Sequence, residues 1–453
     1  LKKKITKCGE CSIQTVFDGS DPILRNLVSL YVYLGGEESY LIECNEFKNN
    51  ASLNFLSSIW PDPKTAVYTE HAKRDVDLMI RHDLKEAQSL YDITQLHYLV
   101  DQHSKHDVVR ISDVYLGLDI SSLDSDLKKE IINEQDYHGI ISKCIFEGGK
   151  ALLQEAKKKE VLSVYEKIDY PLFYTIVKME MNGVKLNTSF LSGLEEKFSA
   201  TLLEIETKIR KEAGEEINIR SSKQVAKLLF EQLKLPAKKK IKTGHSTDSE
   251  VLEDLSTLGV SEIPSLLLQY REIDKLLSTY VKALPQLVNE ETKKIHTNFS
   301  QHTAATGRLS SSNPNLQNIP IRTENGRKVR KAFIASPGSL LLSADYSQVE
   351  LRLLAHFSKD KTMISAFKEG KDIHAQTASE VTGIPIQKIT QTERSKAKAV
   401  NFGLMYGQSS FGLAKALRIS RQEAKEYITN YFERFSQVKG FLDELKELAE
   451  EKG

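Results

Sequence analysis

The hydrophobic pattern changes its period at Asp345, and this change constrains the fold more than any other feature of the sequence. Residues 340–344 form a short apolar run, which is typical of a buried β-strand. After Tyr346, Leu351 and Leu354 recur at the spacing of one helical face. The pattern therefore predicts a strand-to-helix transition that holds the Asp345 carboxylate at a sheet edge. Such a carboxylate suits Mg²⁺, which prefers oxygen ligands, although an Asp in this position also commonly caps a helix.

A stripe of polar and aromatic side chains occupies a predicted helix between 394 and 407. Arg394, Lys398 and Phe402 are spaced four residues apart, and Tyr406 follows at the same step. Because four residues are close to one helical turn, these side chains project from one face. Two cations beside an aromatic face suit a polyanion that carries a base-like ring. The alternative interpretation is a solvated charged helix with one core Phe.

Length and composition describe an ordinary multidomain globular protein. The chain has 453 residues, which is too long for one hydrophobic core and predicts about two to four domains. It contains no apolar run of about 18 residues, so we expect no membrane span. Its four cysteines suit a reducing compartment. The chain begins at Leu1 with no export signal, and we interpret it as an excised fragment of a cytoplasmic protein.

Two basic clusters stand out, although the formal net charge is only +1. Four lysines lie between 238 and 242, and five basic residues lie between 322 and 331. Clusters of this kind can hold a phosphate backbone, but they are also common in solvated loops. Bulk charge therefore gives no preference for nucleic acid, whereas these two segments are candidate contacts.

The order of hydrophobic patterns predicts an α/β region followed by a mostly helical one. Alternating apolar residues on both sides of Gly35-Gly36 predict two strands between 24 and 43. From about 150 to 300 the pattern is helical, with capping boxes beginning at Ser221 and Thr247 and a turn at Asn182-Gly183. Strand-like pieces punctuate 301–358, and the chain is helical again from 359.

Five segments together resemble the conserved elements of the family A DNA polymerases of bacteria, and they occur in the family's order. The resemblance is to the large-fragment type, which lacks a 5′-nuclease domain. It is carried by Thr306-Gly307-Arg308-Leu309-Ser310-Ser311, Pro314-Asn315-Leu316-Gln317-Asn318-Ile319-Pro320, Asp345-Tyr346-Ser347-Gln348-Val349-Glu350-Leu351-Arg352, Gly370-Lys371-Asp372-Ile373-His374 and the stretch 394–407.

The resemblance implies a multidomain α/β and α+β fold. A 3′–5′ exonuclease-like domain would occupy 1–149, and a right-hand polymerase would follow. The thumb and the start of the palm would span 150–300, the rest of the palm with Asp345 would span 301–358, and the helical fingers would span 359–453. The right hand would be truncated within the fingers and palm.

The resemblance also implies roles for individual residues around an incoming dNTP. Asp345 and the Tyr346 carbonyl would bind two Mg²⁺ ions, with Mn²⁺ as a possible substitute. The triphosphate would be held by Arg394, Lys398, His374 and Gln348, and Lys398 would also protonate the leaving pyrophosphate. Phe402 would pack on the sugar, Glu350 would exclude a 2′-hydroxyl, and Tyr406 would border the new base pair.

Primer–template DNA is the second partner that the resemblance implies. Its contacts would be Arg308, Asn315, Gln317, Arg322, Lys239 and Lys240. The implied activity is template-directed DNA synthesis from dNTPs. The implied protein is a monomer, is not attached to a membrane, and works in the bacterial cytoplasm at the nucleoid.

The exonuclease-like region departs from the family pattern at its metal ligands. The family's Asp-x-Glu motif registers here on Gln14 and Val16, and a later carboxylate registers on Ile141. Asp75 is the one carboxylate that matches. Because Gln, Val and Ile cannot supply anionic oxygens to Mg²⁺, we predict an exonuclease fold without proofreading activity.

The C-terminal part departs from the family as well, because no His-Asp-Glu sequence occurs in the chain. That motif would carry the second catalytic carboxylate, so we expect the chain to be part of a longer polypeptide. One alternative function is an inert nucleic-acid-binding fragment that lacks this motif. Another is a single-subunit RNA polymerase, against which Glu350 and Phe402 argue because that enzyme needs room for a 2′-hydroxyl.

Overall fold

A computed structural model describes the chain except residues 19–25, 45–50, 215, 238–239, 242–243, 322, 418 and 453, and except the side chains of 240, 241 and 244. The chain divides into two compact units, residues 1–341 and 342–453. None of the helices in the described ranges is long and apolar enough to cross a membrane.

The first unit begins with a mixed five-stranded sheet in the order β3-β2-β1-β4-β5. The predicted strand pair is confirmed, because β2 and β3 pair antiparallel with Tyr31 opposite Leu41. The strands β1 and β4 pair in parallel, and the chain crosses over between them through β2, β3 and helix α2 (Ala51–Ile59). The strands are β1 Glu10–Phe17, β2 Leu27–Tyr33, β3 Ser39–Glu43, β4 Ala66–Thr69 and β5 Leu90–Asp92.

Helices cover this sheet and bury two apolar cores, one around Trp60 and one around Phe146. The helices are α1 Lys2–Cys8, α2 Ala51–Ile59, α3 Ala72–Arg81, α4 Ile93–Val100, α5 Val108–Ile111, α6 Leu123–Lys128 and α7 Glu134–Lys158, with a π-helical turn at Ser112–Leu116. The predicted α/β character of this region is therefore confirmed.

The middle of the first unit is helical, as its sequence pattern predicts. The side chain of Ser221 caps a helix as expected, whereas the cap predicted at Thr247 is wrong by one residue because Asp248 accepts the Val251 N–H. The helices are α8 Leu162–Val164, α9 Tyr170–Asn182, α10 Thr188–Ala213, α11 Ser222–Ala226, α12 Ser249–Thr257, α13 Ile263–Leu276, α14 Ala283–Gln286 and α15 Glu324–Arg330, with π-helical turns at Tyr165–Asp169, Lys227–Gln232 and Leu277–Lys282.

Short strands tie this helical region together. A three-stranded antiparallel sheet has the order β12-β6-β9, and the hairpin β10-β11 is joined by residues 301–309. The strands are β6 Val184–Leu186, β7 Lys240–Ile241, β8 Gly244–His245, β9 Lys294–Ile295, β10 Asn298–Ser300, β11 Ser310–Ser312 and β12 Phe333–Ile334.

The second unit is helical and packs around one apolar core that includes Leu351, Val400 and Tyr431. Its helices are α16 Val349–Ser358, α17 Lys361–Lys368, α18 Ile373–Thr382, α19 Gln391–Met405, α20 Ser410–Leu417, α21 Arg421–Arg434 and α22 Ser436–Lys452, with a 3₁₀ turn at Ile386–Lys388. The predicted helical character from 359 onward is confirmed.

The buried strand predicted at 340–344 is wrong. Leu340 and Leu342 are 94% and 93% exposed, and no strand in the described ranges pairs with this run. An apolar run becomes a stable strand only where a neighbouring strand satisfies its backbone N–H and C=O groups. The helix predicted after Asp345 does form, but its N-cap is Gln348, so Asp345 is not a helix cap.

We predict that Gly183→Ala lowers the free energy of unfolding by about 1–3 kcal/mol. Gly183 ends α9 at φ +56° and ψ −176°, and a Cβ there would lie 2.6 Å from the His296 ring. Gly214→Ala is the matched control, because Gly214 has φ +69° with no atom within 4 Å of its Cβ position. Calorimetric unfolding should show a clearly larger loss for Gly183→Ala. Equal losses would contradict a steric role for His296.

Candidate functional site

Helix α19 presents the predicted stripe because its ends and its buried face are fixed by sequence. A capping box between Thr390 and Glu393 starts the helix, and Tyr406 is its C-cap. Its buried face consists of Ala397, Val400, Asn401 and Leu404. The stripe lies beside this face, where Lys398 is exposed and Arg394 and Phe402 are partly buried.

Asp372 joins the start of α18 to the side chain of Arg394. Its carboxylate accepts hydrogen bonds from the backbone N–H groups of His374 (2.9 Å) and Ala375 (3.2 Å), and it accepts the Arg394 Nε–H at 2.6 Å. Burial alone would raise the pKa of Asp372, but Arg394 and the backbone donors outweigh burial and lower this pKa. One carboxylate thus caps α18 and orients the guanidinium of α19.

A buried polar network orients His374 between the two helices. Asn401 is fully buried, and its Nδ2 lies 3.1 Å from His374 Nδ1 and 3.0 Å from Thr377 Oγ1. An amide nitrogen can only donate, so His374 Nδ1 accepts and the ring proton lies on Nε2. The His374 ring centroid is 5.9 Å from that of Phe402. These contacts therefore fix the side chains of Asn401, His374 and Phe402 relative to one another.

The surroundings of His374 favour the neutral form of its ring. Burial lowers its pKa below the ordinary value, and the positive charges of Arg394 and Lys398 lower it further, while Asp372 opposes this effect. A neutral imidazole with its proton on Nε2 can donate one hydrogen bond to an anion.

Sequence reasoning did not identify Asn401. The signal was present, because Asn401 is a polar residue on the apolar stripe formed by Ala397, Val400 and Leu404. A buried amide on such a face needs hydrogen-bond partners, and His374 and Thr377 supply them.

A second cluster joins the start of α16 to the end of α19. The Tyr406 hydroxyl donates to Glu350 Oε1 at 2.7 Å. Gln348 adopts a left-handed conformation (φ +54°) as the N-cap of α16. Asp345 and Tyr346 lie just before this cap in exposed, non-regular chain. The structure thus brings Glu350 and Tyr406 together and leaves the Asp345 carboxylate accessible.

The oxygen atoms of Asp345 and Tyr346 are of the type that binds Mg²⁺, but they are too few to hold the ion alone. Carboxylate and carbonyl oxygens are the ligands that this ion prefers. Within the described part of the chain, however, no group of three or more His, Cys, Asp or Glu residues is arranged to hold a metal. Asp345 and the Tyr346 carbonyl would therefore hold a metal ion only with further oxygen ligands.

The candidate DNA contacts lie in the first unit, with Arg308 in the hairpin loop 301–309 and Asn315 and Gln317 just after β11. Arg308, Asn315 and Gln317 are all exposed. Gln317 Nε2 donates to the Leu309 carbonyl at 2.9 Å, and the Gln317 N–H donates to Asn315 Oδ1 at 3.0 Å. These bonds fold the segment back beside Arg308. Arg322 and Lys239 lie outside the described residues, and Lys240 lies on β7 with its side chain outside them.

A cavity of about 470 Å³ opens in the first unit beside β1. Gln14, Val16 and Ile141, which stand where the family pattern has carboxylates, all line this cavity. Gln14 Oε1 contacts His138 Nδ1 at 3.2 Å and accepts the Ser142 hydroxyl at 3.4 Å. The three positions predicted from sequence register therefore do converge in space.

Asp75, which sequence reasoning singled out as the matching carboxylate, is buried rather than open to the cavity. It is 1% exposed and accepts hydrogen bonds from Thr15 Oγ1 (2.8 Å) and Thr69 Oγ1 (2.7 Å). Burial raises the pKa of Asp75 to about 7, although these two donors act in the opposite direction. Asp75 thus has the environment of a structural carboxyl group.

The family model and the known proteins that match this chain all point to one family. The family model described as DNA polymerase family A matches residues 188–453. DNA polymerase I of Caldicellulosiruptor bescii is 42% identical over 372 residues, which is 82% of this chain and 42% of that protein. DNA polymerase I of Pseudomonas aeruginosa is 36% identical over 436 residues, which is 93% of this chain and 48% of that protein. The chain thus spans less than half the length of these relatives.

One solved structure is similar over the whole chain. It is the POL domain of Pol1 from M. smegmatis in complex with DNA primer-template and dNTP, with a TM-score of 0.87 and 30% sequence identity. The match covers 100% of this chain and 78% of that chain.

We predict that the His374 imidazole titrates below its ordinary pKa and that Lys398→Gln raises this pKa. The substitution removes a positive charge that disfavours imidazolium. NMR titration of the histidine side chains measures the shift. Lys396→Gln is the control, because Lys396 lies on the same helix but does not contribute to the His374 shift. Equal effects of the two variants would contradict the proximity of Lys398.

Proposed function

The chain belongs to DNA polymerase family A, and on this basis we propose that the protein carrying it extends a primer 3′-OH with deoxynucleotides on a DNA template. The observation that carries the proposal is the shared face of α18 and α19, where Arg394, His374 and Phe402 are fixed beside the exposed Lys398. The solved Pol1 complex with primer-template and dNTP supports the same substrates.

The triphosphate of the incoming dNTP would lie along this face. Arg394 would donate a pair of hydrogen bonds to phosphate oxygens, because a guanidinium matches this geometry. Neutral His374 would donate from Nε2, and Gln348 would contact the same groups. The exposed Lys398 ammonium would neutralise the leaving pyrophosphate and protonate it, a general-acid role that typically contributes about 10²–10⁴-fold.

Glu350, Tyr406 and Phe402 would read the sugar and base of the nucleotide. The hydrogen bond between Tyr406 and Glu350 holds the carboxylate in one place. A fixed carboxylate beside the 2′ carbon leaves no room for a hydroxyl, so this pair would favour dNTP over rNTP. The same bond argues against an RNA polymerase, which needs to accommodate that hydroxyl. Phe402 would pack on the deoxyribose.

Divalent metal ions would supply the charge that phosphoryl transfer requires. Family A DNA polymerases use such ions, and Asp345 with the Tyr346 carbonyl would provide oxygen ligands for two Mg²⁺ ions, or Mn²⁺ in their place. The exposed leucines of 340–342 form an apolar run that no strand in the described residues covers. We propose that further strands of the palm pair with this run and bring the remaining ligands.

Primer–template DNA would pass along the first unit. Arg308, Asn315 and Gln317 would contact it, together with Arg322, Lys239 and Lys240. We propose that the domains end at residues 149, 300 and 358. The first domain would be an exonuclease-like scaffold. We further propose a monomer that works on nucleoid DNA in the bacterial cytoplasm, as the relatedness to bacterial DNA polymerase I proteins suggests.

We also propose that the protein does not proofread. The cavity wall carries Gln14, Val16 and Ile141 in place of metal ligands. Three acids remain on the wall, namely Glu70, Asp107 and Asp124. Asp107 accepts the Arg110 N–H, Asp124 accepts the Tyr137 hydroxyl, and burial raises the pKa of Glu70 to about 7. Neutral or apolar groups at the ligand positions would leave Mg²⁺ without sufficient anionic oxygens.

Primer extension by the intact protein tests the polymerase proposal. Asp345→Ala should lower the extension rate by about 10²–10³-fold or more, the scale of losing one preorganised electrostatic contact in an active site. Asp443→Ala, an exposed ion-pairing carboxylate on α22, is the control and should extend normally. Extension that persists in Asp345→Ala would refute the site. Duplex binding without extension in the wild type would favour the inert binding fragment.

Digestion of a 3′-labelled single-stranded oligonucleotide tests the absence of proofreading. With Mg²⁺ or Mn²⁺, the intact protein should release the 3′ label no faster than buffer alone, because the cavity lacks the ligands that would hold the ions. Metal-dependent digestion that disappears in Asp75→Ala would contradict the proposal.

A further inference from the structure

The loop that carries Arg308 is tied to helix α4 of the exonuclease-like region by one hydroxyl. Tyr98 Oη donates to the Ala304 carbonyl at 2.8 Å and accepts the Gly307 N–H at 3.0 Å. Ala304 and Gly307 lie in the 301–309 connection of the β10-β11 hairpin, and Gly307 immediately precedes Arg308. A single side chain therefore bridges two points of this loop.

The bridge is buried in a cluster of aromatic rings. Tyr98 is 5% exposed, and its ring centroid lies 5.4 Å from that of His106 with the two rings nearly perpendicular. His106 in turn packs against His97 on α4 and against His302 in the loop, at 5.1 and 6.1 Å. Burial lowers the pKa of His106 to about 4 and also lowers those of His97 and His302. The loop is thus docked through closely packed rings whose surroundings disfavour a positive charge.

The base of the same hairpin is fixed independently. Lys73 on α3 donates to the Phe299 carbonyl at 2.6 Å and to Glu180 at 2.8 Å, and it also donates to Asn298. Glu180 accepts the Phe299 N–H at 2.5 Å. Within the loop, Gln301 Nε2 donates to the Asp169 carbonyl at 3.1 Å and the Gly307 N–H donates to the Ala304 carbonyl at 3.2 Å. The Tyr98 hydroxyl adds two contacts at the far end.

We propose that Tyr98 is a positioning residue for primer–template binding, which acts through Gly307 to hold Arg308 in its binding orientation. This inference rests on the proposed function of Arg308 as a DNA contact. Without the hydroxyl, residues 304–307 would sample more conformations, and DNA binding would carry the entropic cost of ordering them. The exonuclease-like region would then serve polymerisation as a rigid support for the DNA-binding loop.

Tyr98→Phe in the intact protein tests the proposal, because it removes both hydrogen bonds and retains the buried ring. The dissociation constant for a primer–template duplex should rise by about 5- to 30-fold, as expected for two net hydrogen bonds. The KM for dNTP at saturating duplex should stay within about 2-fold, since ordering of the loop is then complete. Tyr115→Phe is the control, because Tyr115 packs 5.6 Å from His97 in the same cluster and lies on the π-helical turn Ser112–Leu116.

A double-mutant cycle with Arg308→Gln separates positioning from general destabilisation. If Tyr98 acts through Arg308, then Tyr98→Phe should weaken duplex binding little further in the Arg308→Gln background. Additive losses, an unchanged dissociation constant in Tyr98→Phe, or an equal loss in Tyr115→Phe would each overturn the proposal.

Duplex binding is measured without the extension reaction, so the polymerase proposal and the Tyr98 proposal can fail separately. A wild-type protein that binds duplex but does not extend it would refute the polymerase proposal, while the cycle would still decide the role of Tyr98. A wild-type protein that does not bind duplex would refute both.

Discussion

The buried amide of Asn401 is the interaction on which the functional face of the second unit depends. It lies on the apolar side of α19 and hydrogen-bonds across to His374 and Thr377 on α18. An unpaired buried amide would cost about 1–3 kcal/mol, so the two helices are held in the register that satisfies it. That register places the His374 ring against Phe402 and fixes which ring nitrogen carries the proton.

The electrostatics of this face suit a ligand that arrives with negative charge. Arg394 is held by Asp372, but its side chain is still 32% exposed. A partly exposed ion pair contributes at most about 1 kcal/mol, so Arg394 can engage a phosphate without a large cost to the fold. The lowered pKa of His374 favours a neutral ring that offers one N–H, whereas Lys398 is exposed to solvent. The buried side of α19 orients the side chains of this face, and the exposed side of the helix supplies the positive charge.

Sequence predicted the parts of this structure that local physical chemistry determines. The α19 helix follows from its capping box and apolar period, and the β2-β3 hairpin follows from alternation around Gly35-Gly36. The 340–344 strand was predicted wrongly because strand formation depends on a distant partner that local pattern does not reveal. Asn401 was missed for a related reason, since its importance comes from a partner 27 residues away.

The two units illustrate different uses of an inherited fold. Gln14, Val16 and Ile141 converge on one cavity in the first unit without forming an anionic ligand set, while its α4 helix docks the hairpin loop. The second unit carries Arg394, His374 and Lys398, which we propose bind the triphosphate, on α18 and α19. We therefore propose that Arg394, His374 and Lys398 recognise the triphosphate, while Phe402 on the same face packs on the sugar.

The most direct test compares the affinities of dATP and dAMP for the intact protein bound to a primer–template duplex, in wild type and Arg394→Gln. Our account predicts that the variant weakens dATP binding by about 10- to 100-fold, the scale of lost charged hydrogen bonds, and leaves dAMP binding nearly unchanged. Equal weakening of both ligands would contradict it, because Arg394 would then not act on the phosphates that distinguish them.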